Sequence, residues 1–268
     1  MTTQPPASDA QTAAAALLWL AEMGDDEPME ATPQDRFAAP APAPALLTSP
    51  APSIAPPPTA TKRAQAAQPS GDALAAREIA SQAQDIAALR AALDGFDGCA
   101  LKATATTLVF ADGAAHAPLM IVGEAPGAEE DRTGTPFVGA AGQLPDKMLA
   151  AIGRDRTTTY ITNILPWRPP GNRTPTTAEI ELLRPFVERH IALAAPKALL
   201  FLGGVAAKTL FDTADGITKL RGRWRPWGAD EIPAMATFHP AFLLRQPARK
   251  REVWRDLLAV KRALEAPG

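Results

Sequence analysis

The stretch Leu119-Met120-Ile121-Val122-Gly123-Glu124-Ala125-Pro126-Gly127 is an unbroken apolar run that stops in a Gly-Pro turn. Four apolar residues in succession, with no polar alternation, are the pattern of a strand covered on both faces. Outward from it, residues 160–165 (YITNIL), 198–202 (ALLFL) and 233–238 (PAMATF) have the same character, as do residues 107–111 (TLVFA). Helical segments separate them. Strands that alternate with helices predict an α/β chain whose parallel sheet carries helices on both faces. In such sheets ligands sit at the carboxyl ends of the strands. The 123–127 turn, the loop after Asn163 and the loop after His239 should therefore meet on one edge.

The chain has 268 residues and an apolar share of 46%, enough for a substantial core. Its 28 prolines are concentrated: residues 31–70 hold 10 Pro and 12 Ala, the composition of a disordered linker. Before it, residues 1–30 include a short helical pattern, AAAALLWLAEM at 13–23, too short to be stable alone, which either docks back on the domain, the favoured reading, or contacts a repair or replication partner. Residues 71–268 form the predicted domain, opened by a helix over 72–94 with Asp72 as N-cap and Gly95 as terminator. A single cysteine, Cys99, excludes a disulfide framework and a four-thiolate metal site within one chain. There is no apolar run of about 18 residues, so no membrane span is expected. The first residues lack Lys and Arg, so a secretory signal is not expected either, and a monomeric, cytoplasmic, nucleoid-associated protein is. The net charge of −2 divides into −7 over residues 1–98 and +5 over 99–268. A basic C-terminal part suits a polyanion-binding domain behind an acidic leader.

The 123–127 turn is neither a Walker loop, since no Gly-Lys-Ser/Thr follows, nor a dinucleotide fingerprint, since the glycine spacing differs. By itself it is an ordinary strand–helix loop that admits a ligand close to the backbone. Four motifs in order give it meaning: GEAPGAEED from Gly123, TPFVGAAGQ from Thr135, YITNIL followed by RPPGNRTP, and HPAFLLR from His239. Together they resemble the family-4 uracil-DNA glycosylases, over roughly residues 96–260. The run Lys219-Leu220-Arg221-Gly222-Arg223-Trp224 also resembles that family's loop before the last strand.

The resemblance implies a three-layer α/β/α fold around a mainly parallel four-stranded sheet, and hydrolysis of the N-glycosidic bond of deoxyuridine in DNA. A base must leave the stack to be reached. Asn163 is then implied to read the uracil edge, since one amide satisfies both O4 and N3–H. Phe137 is implied to stack on the ring, the first loop to pack near its C5 edge at Glu124 and Ala125, and Gly123 and Pro126 of that loop to take part in substrate binding. His239 is implied to donate to O2 as charge develops there. Glu130 is implied to position water or stabilise the sugar cation, with Glu124 a nearby carboxylate and Asn172 a further polar contact. Leu243 and Leu244 read as a wedge for the gap left by the flipped base, with Arg245, Arg168 and Arg173 on phosphates. Arg221, Arg223, Arg225, Lys250 and Arg251 are further phosphate candidates. His116 and His190 fall outside the motifs and read as surface or structural.

Typical members hold a [4Fe–4S] cluster on four cysteines. The corresponding positions here are Phe96, Cys99, Trp167 and Leu183. With three of four ligands apolar, the expectation is an enzyme without a cluster and without any metal, whose lost cage is replaced by packing. No Lys stands in a motif position suited to a Schiff base, so the implied enzyme is monofunctional. Two alternatives remain open from sequence: a uracil-sensing DNA-binding protein with weak or lost turnover, and a glycosylase for another damaged base.

Overall fold

The computed structural model describes residues 71–139 and 141–266, so the expectations for residues 1–30 and 31–70, including the partner segment 13–23, lie outside the described residues. Six strands form one sheet: β1 (Ala111–Gly113), β2 (Leu119–Gly123), β3 (Thr159–Asn163), β4 (Ala198–Leu202), β5 (Trp224–Trp227) and β6 (Ile232–Thr237). Their order is β1-β3-β2-β4-β6-β5. The four central strands are parallel. The expected four-stranded sheet is thus the middle of a six-stranded one, with β1 and β5 added antiparallel at the edges.

The apolar runs are two-sided, as their sequence requires. Met120, Val122, Leu199 and Phe201 face one layer; Leu119, Ile121, Leu200 and Leu202 face the other. The first layer is built from α1 (Gly71–Gln82), α2 (Ile86–Asp94), α3 (Ala100–Thr104), α6 (Thr177–Ala194), α7 (Gly204–Leu210) and α8 (Ile217–Leu220). The second holds α5 (Gln143–Ala151), α9 (Pro240–Arg245) and α10 (Lys250–Glu265). The short α4 (Ala128–Thr133) follows the first loop. Each large side chain enclosed in these layers contributes about 1.5–3 kcal/mol of transfer free energy.

Two sequence expectations are corrected. The helix over 72–94 is two helices, because Asp85 adopts an extended backbone and its carboxylate caps the amide of Ala88 at 2.7 Å, starting a new helix. The strand at 107–111 begins only at Ala111, because the amides of Thr106 and Thr107 are bonded to the Asp131 carboxylate instead of a neighbouring strand.

The four positions implied to carry cluster cysteines all lie in the first layer, and all four are buried: Phe96, Cys99, Trp167 and Leu183. Phe96 packs at 5.2 Å from the ring of Phe186. Burial pushes the Cys99 thiol above its ordinary pKa, toward an inert, protonated state. His190 is structural, as expected: its Nε2 meets the Tyr160 hydroxyl at 2.8 Å and its ring stacks on Phe110.

Candidate active site

Strand register brings the loops together. Gly123 pairs with Asn163, so β2 and β3 end level. Leu202 pairs with Thr237, and the Gly203 amide bonds the Thr237 carbonyl, so β4 and β6 end level too. The three loops meet at one edge around a cavity of about 550 Å³, whose lining includes Glu124, Ala125, Pro126, Phe137, Asn163 and His239. That volume suits a small planar ligand or a single base.

Asn163 closes the floor. It is buried, and its Oδ1 has no hydrogen-bond partner among the described residues. An amide oxygen without a partner costs about 1–3 kcal/mol unless a ligand supplies the donor. Gly123 makes this floor possible. A Cβ there would lie 2.3 Å from Asn163 Oδ1 and 2.4 Å from the Phe137 ring, so only glycine lets both reach the cavity. Phe137 has a left-handed backbone, φ 56°, which aims its ring inward, with its centroid 6.1 Å from that of His239.

His239 caps α9, and its Nδ1 accepts the amide hydrogen of Ala241 at 3.2 Å. An Nδ1 that accepts carries no proton, so the neutral ring bears its hydrogen on Nε2. Burial, helped by the Arg245 charge and opposed by Glu130, holds its pKa down at about 4. The imidazole is therefore neutral at physiological pH, with an N–H to offer. The strand behind it is anchored: Thr237 Oγ1 donates to Asp256 at 2.6 Å, and Arg221 meets both Asp256 oxygens at 2.7 Å.

The two pocket carboxylates differ. Glu130 accepts three backbone N–H groups, from Gly127 at 3.0 Å, Val138 at 2.9 Å and Gly139 at 2.8 Å. It braces the first loop against the loop of Phe137, so most of its lone pairs are already engaged and little remains to orient water. The Glu124 carboxylate makes no hydrogen bond among the described residues, although the backbone carbonyl accepts from Leu165 N–H at 3.1 Å, and burial raises its pKa. Asn172 lines the cavity in a left-handed turn, φ 54°, with its Oδ1 held by Arg168 Nε at 2.7 Å. Arg173 and Arg245 also line it, Arg173 locked by both oxygens of Glu179, whose pKa falls to about 2 through that contact.

Some expected residues stand elsewhere. Leu243 is 1% exposed and belongs to the second core layer, so it is not a wedge; Leu244 is half-buried and Arg245 exposed. Adjacent positions of helix α9 point about 100° apart, which turns one leucine inward while its neighbour stays near the surface. Arg221 is held by the Asp256 and Glu252 carboxylates, and Arg225 sits over Phe211 in a different groove; neither reaches the cavity. Sequence reasoning missed Phe242, which lines the cavity beside His239, and Arg156, which grips the Phe137 loop. The spacing of HPAFLLR carried a signal for Phe242; nothing around Arg156 marked it.

A profile of the uracil DNA glycosylase superfamily matches residues 110–258, the span that holds every loop of the cavity. The chain belongs to the uracil DNA glycosylase superfamily. It is 37% identical over 180 residues to the type-4 uracil-DNA glycosylase of Pyrobaculum aerophilum, covering 65% of this chain and 91% of that protein. It is 39% identical over 165 residues to that of Archaeoglobus fulgidus, 59% and 82% of the two chains. With that of Thermotoga maritima it shares 37% over 175 residues, 63% and 90%. Among the described residues of this superfamily member, no group of three or more His, Cys, Asp or Glu could hold a metal, and no helix is long and apolar enough to cross a membrane. Its side chains do not fit a four-thiolate cluster: one sulfur, Cys99, stands with a phenyl, an indole and an isobutyl group. Hydrocarbon offers iron no ligand.

Proposed function

We propose that this protein is a uracil-DNA glycosylase that hydrolyses the N-glycosidic bond of flipped-out deoxyuridine and so starts base-excision repair. The observation that carries the reading is the unpartnered Oδ1 of buried Asn163, in one cavity with Phe137 and the neutral imidazole of His239. A uracil ring on Phe137 gives Asn163 Oδ1 the N3–H it lacks and takes a hydrogen bond at O4 from the amide NH2. His239 Nε2–H donates to O2. As the C1′–N1 bond breaks, its electron pair moves onto the base and the O2 charge grows. A fixed neutral donor there stabilises the transition state more than the ground state. Water then adds to C1′ and loses a proton, the departing uracil anion takes up a proton, and the products are an abasic site and neutral uracil. The Glu130 carboxylate, fixed at the pocket wall, supplies a negative field for the sugar cation rather than a base for water. Arg173 and Arg245 at the rim meet phosphates, and Leu244 follows the extruded base.

The reaction runs without an iron–sulfur cluster, because Phe96, Trp167 and Leu183 close the corresponding space by packing. The test is excision from a labelled oligonucleotide containing one uracil, with the full chain purified free of iron. Excision by wild type, lost in Asn163→Ala and His239→Ala, supports the reading. A folded wild type that binds uracil DNA without cleaving it supports a sensor instead.

A further inference from the structure

The guanidinium of Arg156, outside every motif of the site, is fully engaged. Its Nε donates to Asp146 at 2.8 Å; one terminal nitrogen donates to Asp112 at 2.6 Å and to the Pro136 carbonyl at 3.0 Å; the other donates to the Phe137 carbonyl and to Asp146 at 3.4 Å. An Arg fork has five donors in one plane, and here all five directions find an acceptor. Asp112 lies on edge strand β1 and Asp146 on α5, so one side chain ties the Phe137 loop to a strand and a helix. The loop needs tying. Phe137 is a non-glycine residue at φ 56°, a conformation disfavoured for L side chains that persists only where surroundings impose it. On its other side the loop is pressed by Gly142, where a Cβ would stand 2.1 Å from the Phe137 carbonyl carbon.

The geometry points to Arg156 as a positioning residue that holds the strained Phe137 backbone by its carbonyls and so fixes the ring against which the base stacks. It touches no substrate; it acts through Phe137. This inference rests on the reading of Phe137 as the stacking residue of a uracil pocket. A stacking ring displaced by about 1 Å costs on the order of 100-fold in rate. Lysine does not replace the fork, because one ammonium cannot span two carbonyls and two carboxylates in fixed directions.

The test compares wild type, Arg156→Ala, Arg156→Lys and Asp112→Asn in the full chain. Three quantities are read: single-turnover excision of uracil, inhibition by free uracil, and affinity for abasic-site DNA. Amide exchange of the peptide spanning 135–142 is followed in parallel. In folded Arg156→Ala, excision is expected to drop on the order of 100-fold and inhibition by uracil to weaken at least about 10-fold. Abasic-DNA affinity stays within about 2-fold, because phosphate contacts are untouched. Exchange over 135–142 accelerates, and Arg156→Lys does not restore excision. Should Arg156→Ala fail to fold, Asp112→Asn is expected to show smaller changes of the same kind. Unchanged uracil inhibition and exchange in the folded variants, or full rescue by lysine, would overturn the proposal. A wild type that neither excises nor binds uracil overturns the glycosylase reading instead, and exchange still decides whether Arg156 clamps the loop.

Discussion

Gly123→Ala is the most direct probe of the pocket, because one methyl group strikes both of its recognition elements. The new Cβ would stand 2.3 Å from Asn163 Oδ1 and 2.4 Å from the Phe137 ring. Each neighbour must retreat by about 1 Å to reach ordinary contact, yet Asn163 ends a buried strand and Phe137 is gripped by Arg156. A displacement of that size is expected to lower the single-turnover rate about 100-fold, near 2.7 kcal/mol of barrier. Overpacking is expected to lower stability by about 1–3 kcal/mol. Single-turnover excision of uracil from a labelled duplex gives the first number, and denaturant titration the second. Gly216→Ala is the control. A Cβ there meets nothing within 4 Å and the backbone is not left-handed, φ −72°, so the rate stays near wild type and stability falls by no more than about 1 kcal/mol through the poorer N-cap. A Gly123→Ala enzyme that cleaves within about 3-fold of wild type would show that the cavity does not hold its ligand between these two groups, and the assigned geometry would be wrong.

His239→Ala is expected to lower kcat about 100- to 1,000-fold with little change in KM, as for loss of one preorganised oxyanion donor. Because the ring is neutral above a pKa of about 4, wild-type kcat should show no limb from this histidine between pH 5 and 8, and a limb near 6.5 would contradict the assignment. Buried His190 has its pKa lowered from 6.5 to about 4. A depressed folded value means its contribution is complete above pH 6.5 and lost as pH falls toward 4. Stability should therefore decline over that window by up to roughly 3 kcal/mol, a slope that His190→Phe, measured by urea titration at several pH values, ought to flatten. Trp167→Ala should cost about 3–5 kcal/mol through the cavity it leaves, whereas Cys99→Ser should leave excision intact; iron bound in proportion to protein, or activity lost with the thiol, would refute the cluster-free reading. Asp256→Ala leaves Arg221 with Glu252 as its one carboxylate and takes the acceptor from Thr237 Oγ1, and is expected to destabilise by about 1–3 kcal/mol, seen as a lower melting temperature.

Much was legible in the sequence. The two-sided apolar runs at 119–122 and 198–202 determined a parallel sheet between two helical layers, since such strands leave no face for water. Motif order determined that the Gly123, Asn163 and His239 loops belong to one site. The apolar residues at the family's cluster positions, Phe96, Trp167 and Leu183, pointed to burial, and all three lie in the first core layer. What tertiary structure alone decided depends on partners distant in the chain. Edge strands β1 and β5 are short and antiparallel, and their few polar and proline residues carry no periodicity. Asp131 diverted residues 106–107 from the sheet, and Asp85 divided one apparent helix in two. Leu243 and Leu244 are the same residue type, and only the packing of α9 onto the second core layer sends the first into the core. The Glu130 carboxylate and the Arg156 fork acquire their roles from backbone groups 9 and 19 residues away. Side-chain identity specifies what a group can bond; only the folded chain specifies which groups come within reach.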